Sequence, residues 1–338
     1  MTEFTWKDGE RWIVFRHGAL RDGAALLREH GWDEYELLST PRALETAPAG
    51  LEEAGAATHA VPAGPVPEAA AAIFDEVDAT SIVALGGGRV IDAAKAIAAV
   101  RGGRVCAIPT TLSGAPMTSI HRLPGGQEAD RLVRPALVLA DPGPMTELPE
   151  QELRATAMNA LAHGAEALYG PLANPVAEMA GLRGASSIAV ALDQDPARRD
   201  RAALALGAIL CGYAVGSAGF ALHHVLGQTT VRVCAVPHAG AYAALLPHTV
   251  EGMRDRAPEM IAALAGALGT TPEAIGERID ELAGHPPGLG ELGADRDLVG
   301  RVVEVALERP ELKRIPDPPS AAELEAILDS SWQRARTQ

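Results

Sequence analysis

The sequence predicts an N-terminal α/β domain built on a parallel sheet, followed by an all-helical domain. Over roughly the first 145 residues, short runs rich in β-branched residues alternate with helical stretches, the pattern of a parallel sheet with helices on its faces. From Leu148 onward almost only helical periodicity remains. We therefore assign residues 1–145 to the first domain and 146–338 to the second, with the pattern changing near the turn DPGP at 141–144.

Five segments of the first domain have the composition of strands. They are RWIVF (11–15), YELLST (35–40), SIVALGG (81–87), VCAIP (105–109) and ALVLADP (136–142). Two amphipathic stretches between them, 18–31 and 66–77, predict helices. In the second domain, turns such as GPLANP, AVPHAG and GHPPGLG separate the helical stretches.

Composition and charge indicate an ordinary soluble protein. The chain has 338 residues, 47% of them hydrophobic and 22% charged, and a net charge of −15 that argues against nucleic acid or an anionic membrane as partner. The N-terminus lacks the pattern of a signal peptide, and no uninterrupted apolar stretch reaches the roughly 18–20 residues of a membrane span. Three scattered cysteines suggest neither disulfides nor a cysteine metal site. We expect a cytoplasmic enzyme or binding protein.

A glycine triplet lies between a buried strand and a helix. Gly86, Gly87 and Gly88 would let a ligand approach the backbone, and the N-terminus of the following helix offers free N–H groups to a phosphate. Asp92 and Lys95 follow in the first turns of that helix. The pattern is not G-x-G-x-x-G, and a tight turn without a ligand is the alternative.

Hydroxyl-bearing loops follow two further strands. IPTTLSGAPMT (108–118) supplies Thr110, Thr111 and Ser113, and LLSTPR (37–42) supplies Thr40. In an open α/β sheet, ligands bind beyond the carboxyl ends of the strands, so these loops are expected to share one crevice with the glycines. Three such strand ends favour a nucleotide over a bare turn.

The segment ATAMNALAHGAEALYG (155–170) predicts a helix that ends at Gly170. Asn159 and His163 are one turn apart on the same face, a spacing that suits a metal, a substrate or a contact between the two side chains.

Histidines are concentrated in two later segments. GFALHHVLGQ (219–228) carries His223 and His224, and VPHAGAYAALLPH (236–248) carries His238 and His248. A single histidine is ordinarily a satisfied core or surface residue, but the clustering on apolar helices favours a site made by His163, His224 and His238.

Several of these motifs, in this order, resemble the iron-containing alcohol dehydrogenase superfamily. They are GGGRVIDAAKAIA, IPTTLSGAPMT, MNALAHGAEALYGPLANP, HHVLGQ and PHAGAYAALLPH. LSTP and the C-terminal IPDPPSAAELEAILDSSW make the resemblance greatest to maleylacetate reductases. It implies a Rossmann-like domain for NAD(P)H, a helical catalytic domain of the dehydroquinate synthase-like fold, and chemistry in the cleft between them. A homodimer is a further expectation.

The strand-end loops, the clustered histidines and the resemblance together give the expected site residues. The expected cofactor-binding residues are Thr40, Gly86, Gly87, Gly88, Arg89, Asp92, Lys95, Thr110, Thr111 and Ser113; the expected catalytic residues are Asn159, His163, His224 and His238. Arg89 stands where the family usually has serine, and Pro116 where it has glutamate, departures that leave the substrate open.

The resemblance argues against a metal in this chain. Metal-dependent members use an Asp-x-x-x-His pair and two later histidines. Here Asn159, a weaker ligand, replaces the aspartate, and Phe220 occupies the third position unless His223 substitutes for it. Only His163 and His238 match, so we expect no metal.

Three functions are compatible with this sequence. The first is an NAD(P)H-dependent reductase that transfers hydride to a small oxo-carboxylic acid, with histidines in place of the metal. The second is a metal-free cyclase or lyase on the same fold, and the third is a non-catalytic nucleotide-binding relative. Net consumption of NAD(P)H distinguishes the first from the other two.

Overall fold

The computed structural model describes residues 11–333, which divide into two compact units between Leu148 and Pro149. The predicted domain boundary at 145/146 lies slightly earlier. The difference arises because a short helix at 142–146 still belongs to the α/β unit: Asp141 caps it, and the same carboxylate accepts a hydrogen bond from the backbone N–H of Leu20 at 3.1 Å. The first ten residues of the predicted N-terminal domain lie outside the described part of the chain.

The α/β unit contains one parallel sheet. Its strands are β1 (Trp12–Phe15), β2 (Glu36–Ser39), β3 (Ala57–Ala60), β4 (Ser81–Gly86), β5 (Arg104–Pro109) and β6 (Leu137–Ala140), in the spatial order β1-β6-β5-β4-β2-β3. The sequence predicts every strand except β3. That strand reads ATHA and lies at the sheet edge with most of its residues exposed, so it lacks the hydrophobic run of a buried strand.

Helices pack on both faces of this sheet. They are α1 (Gly23–Glu29), α2 (Pro41–Glu45), α3 (Ala49–Glu53), α4 (Val66–Ile73), α5 (Gly88–Arg101) and α6 (Pro142–Thr146). Alternate residues of β4 serve opposite faces: Ile82 joins the core beneath α4 and α5, whereas Val83 joins the core beneath α1 and α3. The confirmed architecture is therefore a doubly wound sheet.

The strand order reverses beside β4. The chain runs outward from β2 to β3, returns to β4 on the other side of β2, and then continues to β5. In open α/β sheets such a reversal leaves a crevice at the carboxyl ends of the strands. The glycine triplet follows β4 and therefore lies at this position.

Among its described residues, the second unit contains helices and no strands. Its helices are α7 (Glu150–Tyr169), α8 (Pro175–Leu192), α9 (Arg201–Ala218), α10 (Leu222–Cys234), α11 (His238–Glu251), α12 (Pro258–Leu268), α13 (Ile275–Ala283), α14 (Val299–Leu307) and α15 (Ala321–Ser330). Glycines let α7, α8 and α9 approach closely. A Cβ on Gly184 would lie 2.8 Å from the carbonyl oxygen of Gly207, and one on Gly181 would lie 2.7 Å from that of Gly164.

One helix is long and apolar enough to cross a membrane by length and composition. It is α9, and 56% of its 18-residue window is buried inside the helical unit. Burial of that kind is typical of a core helix. The sequence predicts no span, because no uninterrupted apolar stretch reaches the roughly 18–20 residues that one needs.

Gly170 ends α7 as predicted, but for a different reason. Its φ of −66° and ψ of 169° are open to any residue, so the left-handed cap expected of a terminal glycine is absent here. The requirement is steric instead, since a Cβ would lie 2.9 Å from the carbonyl oxygens of Glu166, Ala218 and Gly219.

Candidate active site

The glycine triplet and the threonine loop lie side by side in the α/β unit. The backbone N–H of Thr110 donates to the carbonyl oxygen of Gly86 at 3.0 Å. A Cβ on Gly87 would lie 3.1 Å from Cγ2 of Thr111, and one on Gly88 would lie 3.1 Å from Oγ of Ser113. Side chains on these two glycines would crowd Thr111 and Ser113. The result is an open backbone cradle at the N-terminus of α5, the geometry that suits a phosphate.

Ser113 adds a polar group to this cradle. Its Oγ is buried and has no hydrogen-bond partner among the described residues 11–333. Buried hydroxyls normally have partners, so an unpartnered one beside a helix N-terminus fits a site that takes a ligand.

Lys95 has a different role from the one expected. Its ammonium is fully buried and lies 2.6 Å from Oδ1 of Asp92, and it donates to the carbonyl oxygens of Ala115, Thr118 and Ile120 at 2.8–3.1 Å. Burial lowers the pKa of Lys95 and raises that of Asp92, and each partner opposes the shift of the other. The pair fastens the 111–120 loop to α5, so the ammonium of Lys95 already has protein partners.

Two further candidates for cofactor binding, Thr40 and Arg89, differ in whether the side chain already has a structural role in the protein. Thr40 caps α2, its Oγ1 accepting from the backbone N–H of Ala43 at 3.3 Å. Arg89 is exposed in the first turn of α5, where its guanidinium can reach an anion from solvent. Thr40 therefore has a structural partner already, whereas Arg89 remains a candidate for charge contact.

Helix α7 places Asn159 and His163 one turn apart, as its periodicity predicts. Asn159 is half-buried and His163 is buried. Nδ1 of His163 is buried, and no residue in the described part of the chain makes a hydrogen bond to it. Desolvation holds the pKa of His163 well below its ordinary value, with His224 and His238 adding to the effect, so the ring is neutral at pH 7.

His224 comes from α10 and is bound to α7 through Glu166. Its Nδ1 lies 2.5 Å from Oε2 of Glu166, and its backbone N–H donates to Oε1 at 3.0 Å. Burial raises the pKa of Glu166 to about 7, while His223 and the backbone N–H groups of residues 221, 223 and 224 limit the rise. Burial likewise keeps the pKa of His224 well below its ordinary value.

The helical unit contains a cluster of three nearly parallel rings, here called the ring cluster, formed by His163, Phe220 and His224. Phe220 and His224 stack with centroids 4.2 Å apart and an interplanar angle of 2°, and His163 and His224 stack at 4.6 Å and 16°. Stacking on two sides holds the His224 ring in one orientation. The structure thus brings together two of the three predicted catalytic histidines directly.

His238 joins this cluster through a tyrosine. It begins α11, is exposed, and stacks on Tyr242 at a centroid distance of 4.1 Å. Tyr242 is buried and lies edge-on to His224 at 5.2 Å. His238 is therefore the accessible member of the predicted trio.

His223 faces a different environment. Its Nδ1 lies 3.0 Å from Oγ1 of Thr249, whose hydroxyl can donate to the carbonyl oxygens of Leu245 and Leu246. Its Nε2 is buried without a partner, and burial lowers the pKa of His223 to about 3. These contacts make His223 a neutral core residue rather than a replacement for the ligand missing at Phe220.

Sequence reasoning missed Glu166 and Tyr242. Glu166 carries a usable signal, because it is a carboxylate three residues after His163 in an otherwise apolar, alanine-rich stretch. Tyr242 sits four residues after His238 on α11, which also places it on the same face.

Each of the two units matches a known protein family. Residues 154–332 match the C-terminal domain of the Fe-containing alcohol dehydrogenase family, and residues 11–142 match iron-containing alcohol dehydrogenase. The chain belongs to the iron-containing alcohol dehydrogenase family. This membership confirms the resemblance that the motifs indicate, and it identifies the chain as an oxidoreductase.

Several relatives of this family member are maleylacetate reductases. The enzyme of Rhizobium sp. (strain MTP-10005) is 30% identical over 362 residues, which cover 100% of both chains. Maleylacetate reductase 1 of Rhodococcus opacus is 33% identical over 77% of this chain and 74% of its own length. The crystal structure of maleylacetate reductase from Agrobacterium tumefaciens has a TM-score of 0.86 at 29% identity, covering 98% of this chain and 99% of that one.

The family's iron site does not fit the side chains present here. Among residues 11–333, no group of three or more His, Cys, Asp or Glu side chains is placed to hold a metal ion. Phe220 presents a stacked ring where the family motif places a ligand, and Asn159 presents a neutral amide where it places a carboxylate. With these substitutions the site lacks both the ligand number and the negative charge that a bound cation requires.

Proposed function

We propose that this family member is an NAD(P)H-dependent reductase that acts on a small oxo-carboxylic acid of the maleylacetate type without a metal. The observation that carries the proposal is the ring cluster in the helical unit. It retains two neutral, buried imidazoles, His163 and His224, while a phenylalanine fills a ligand position. The identity to maleylacetate reductases supports the substrate class.

The cradle in the α/β unit fits the cofactor. We assign the pyrophosphate to the backbone at Gly86–Gly88, with Thr111, Ser113 and the exposed Arg89 beside it. The end of β2 carries Ser39 and Thr40 where an acid would exclude a 2′-phosphate, so NADPH is tolerated alongside NADH. When bound, the reduced nicotinamide supplies a hydride.

The histidines supply what a metal would otherwise provide. Addition of hydride to an oxo acid leaves negative charge on the substrate oxygen, and hydrogen-bond donors must stabilise it. We assign this task, together with delivery of the proton, to His163, His224 and His238, and the orientation of the substrate or of His163 to Asn159. The neutral state of the buried rings keeps positive charge out of an apolar site.

The direct test is turnover with maleylacetate. Purified protein mixed with maleylacetate and NADH or NADPH should consume nucleotide and substrate in a 1:1 ratio, followed by absorbance and product analysis. If the protein converts substrates without net nucleotide consumption, the cyclase or lyase alternative replaces the reductase. If it binds nucleotide but converts nothing, the non-catalytic relative does.

Metal removal should leave activity unchanged. Protein purified without chelators is expected to hold well under one equivalent of iron or zinc by elemental analysis, and EDTA should not reduce its rate. The matched variant is N159D/F220H, which restores the family's ligand types and should gain measurable Zn²⁺ or Co²⁺ affinity in calorimetry. Stoichiometric metal in the native protein would contradict this proposal.

A further inference from the structure

We propose that Glu166 is a positioning residue for the reaction, holding the imidazole of His224 by Nδ1 so that Nε2 is the nitrogen that meets the substrate. The inference rests on the proposed reductase function, which it deepens by assigning a role to a residue that the family's ligand positions do not include. It is carried by the geometry of one carboxylate and by a contrast with the neighbouring histidine.

A single carboxylate fixes both the main chain and the ring of His224. Oε1 accepts the backbone N–H at 3.0 Å, and Oε2 lies 2.5 Å from Nδ1 of the same residue. Phe220 and His163 stack on the ring. These contacts hold the ring of His224 in one orientation. Its other nitrogen, Nε2, receives no hydrogen bond from any residue between 11 and 333.

The burial of Glu166 argues for a role beyond packing. Its side chain is 0% exposed in the middle of α7. A carboxylate taken out of water is costly, and replacing a buried ionisable pair with apolar residues often leaves stability equal or higher. Stability alone gives little reason for a Glu166–His224 pair at this position.

His223 provides a comparison, because it is a buried histidine whose hydrogen-bond partner is neutral. It precedes His224 on α10, and its Nδ1 is also tied to a buried acceptor, the hydroxyl of Thr249. That hydroxyl is neutral, and Nε2 of His223 is sealed in the core. Of these two adjacent buried histidines, only His224 is paired with a carboxylate.

The bond also lets His224 deliver a proton without acquiring charge. With the carboxyl protonated, Nδ1 accepts from Glu166 and Nε2 carries the hydrogen. As Nε2–H passes its proton to the substrate oxygen, the carboxyl proton passes to Nδ1, leaving a neutral ring beside a carboxylate. The raised pKa of Glu166, about 7, is consistent with this exchange.

The test compares E166Q with T249V. The glutamine amide keeps the shape of Glu166 and donates to Nδ1 as the protonated carboxyl does, so Nε2 keeps its hydrogen, but the amide cannot pass a proton to Nδ1. We expect kcat for maleylacetate reduction to fall by about 10² or more, as on loss of a general acid, because the ring can no longer take up a proton at Nδ1 while Nε2 gives one up. Substrate KM and nucleotide Kd should stay within about twofold. T249V loosens His223 equally and should keep kcat.

Nitrogen-15 NMR of the imidazoles gives a readout independent of turnover, with the His224 signal assigned through H224N. In the native protein and in T249V, ionisation of Glu166 should move the ring proton of His224 from Nε2 to Nδ1 as the pH rises through about 7. E166Q should keep the proton on Nε2 throughout, and this contrast supports the positioning role even if maleylacetate proves not to be the substrate. E166D, which retains the carboxylate, should recover part of kcat. An E166Q protein with unchanged kcat and with the native pH dependence of the His224 spectrum overturns the proposal, as does a kcat loss in T249V as large as that in E166Q.

Discussion

H224N is expected to lower kcat by about 10²–10⁴, the range associated with loss of a hydrogen-bond donor or general acid. Asparagine is the sharpest replacement, because its amide can stand in for Nδ1 and still meet Glu166, while nothing replaces Nε2. Alanine would instead leave the buried carboxylate without its partner and cost about 3–5 kcal/mol of stability. Stopped-flow single turnovers with NADH would separate the chemical step from binding.

The control for this experiment is His30→Ala. His30 lies in the α/β unit, where its Nδ1 contacts the carbonyl oxygen of Leu26 at 2.8 Å, and its loss should leave kcat unchanged. His163→Ala and His238→Ala should also reduce kcat while nucleotide affinity stays close to that of the native protein. Near-full activity in H224N, His163→Ala and His238→Ala would show that these three histidines serve packing alone.

Gly87→Val is expected to raise the Kd for NADH and NADPH by about 10²-fold, equivalent to about 2.7 kcal/mol. The backbone at Gly87 is the N-cap of α5, and even a single Cβ there lies 3.1 Å from Thr111. The branches of valine would project into the space that a phosphate must enter to reach the helix N-terminus. Titration of nucleotide fluorescence measures the change.

Gly50→Val is the matched control. Gly50 is exposed in α3 of the same unit and has no heavy atom within 4 Å of its Cβ position. The variant carries the same added side chain but should bind both nucleotides as the native protein does. Unchanged nucleotide affinity in Gly87→Val, with both variants folded by circular dichroism, would place the cofactor elsewhere.

Local patterns predicted most of the elements because they depend on neighbours in sequence. The buried strand β4 and the glycines after it, and the apolar spacing of α7 with Asn159 and His163, need only a few residues each. The edge strand β3 was missed because an exposed strand of four residues carries no such pattern. Its pairing with β2 supplies the backbone partners that define it.

The hydrogen-bond partners of the polar side chains come from residues far away in the sequence. Lys95 follows the glycines like a phosphate-binding lysine, yet carbonyl oxygens 20 to 25 residues away take up its ammonium. Sequence spacing shows where on the helix such a residue lies. The free-energy cost of burying its charge determines which partners its side chain must have. The same reason explains why His223 and His224, identical neighbours in sequence, have unlike partners, a threonine hydroxyl and a carboxylate.

The sequence by itself determined the fold class, the glycine turn before α5 and the placement of His163 and His224 on helices, because periodicity and glycine spacing are local properties. Only the tertiary structure paired Glu166 with His224, residues 58 positions apart, and stacked Phe220 where a ligand would stand. Which buried groups meet depends on how helices α7 and α10 pack, and the packing of distant segments leaves no periodic trace in either helix.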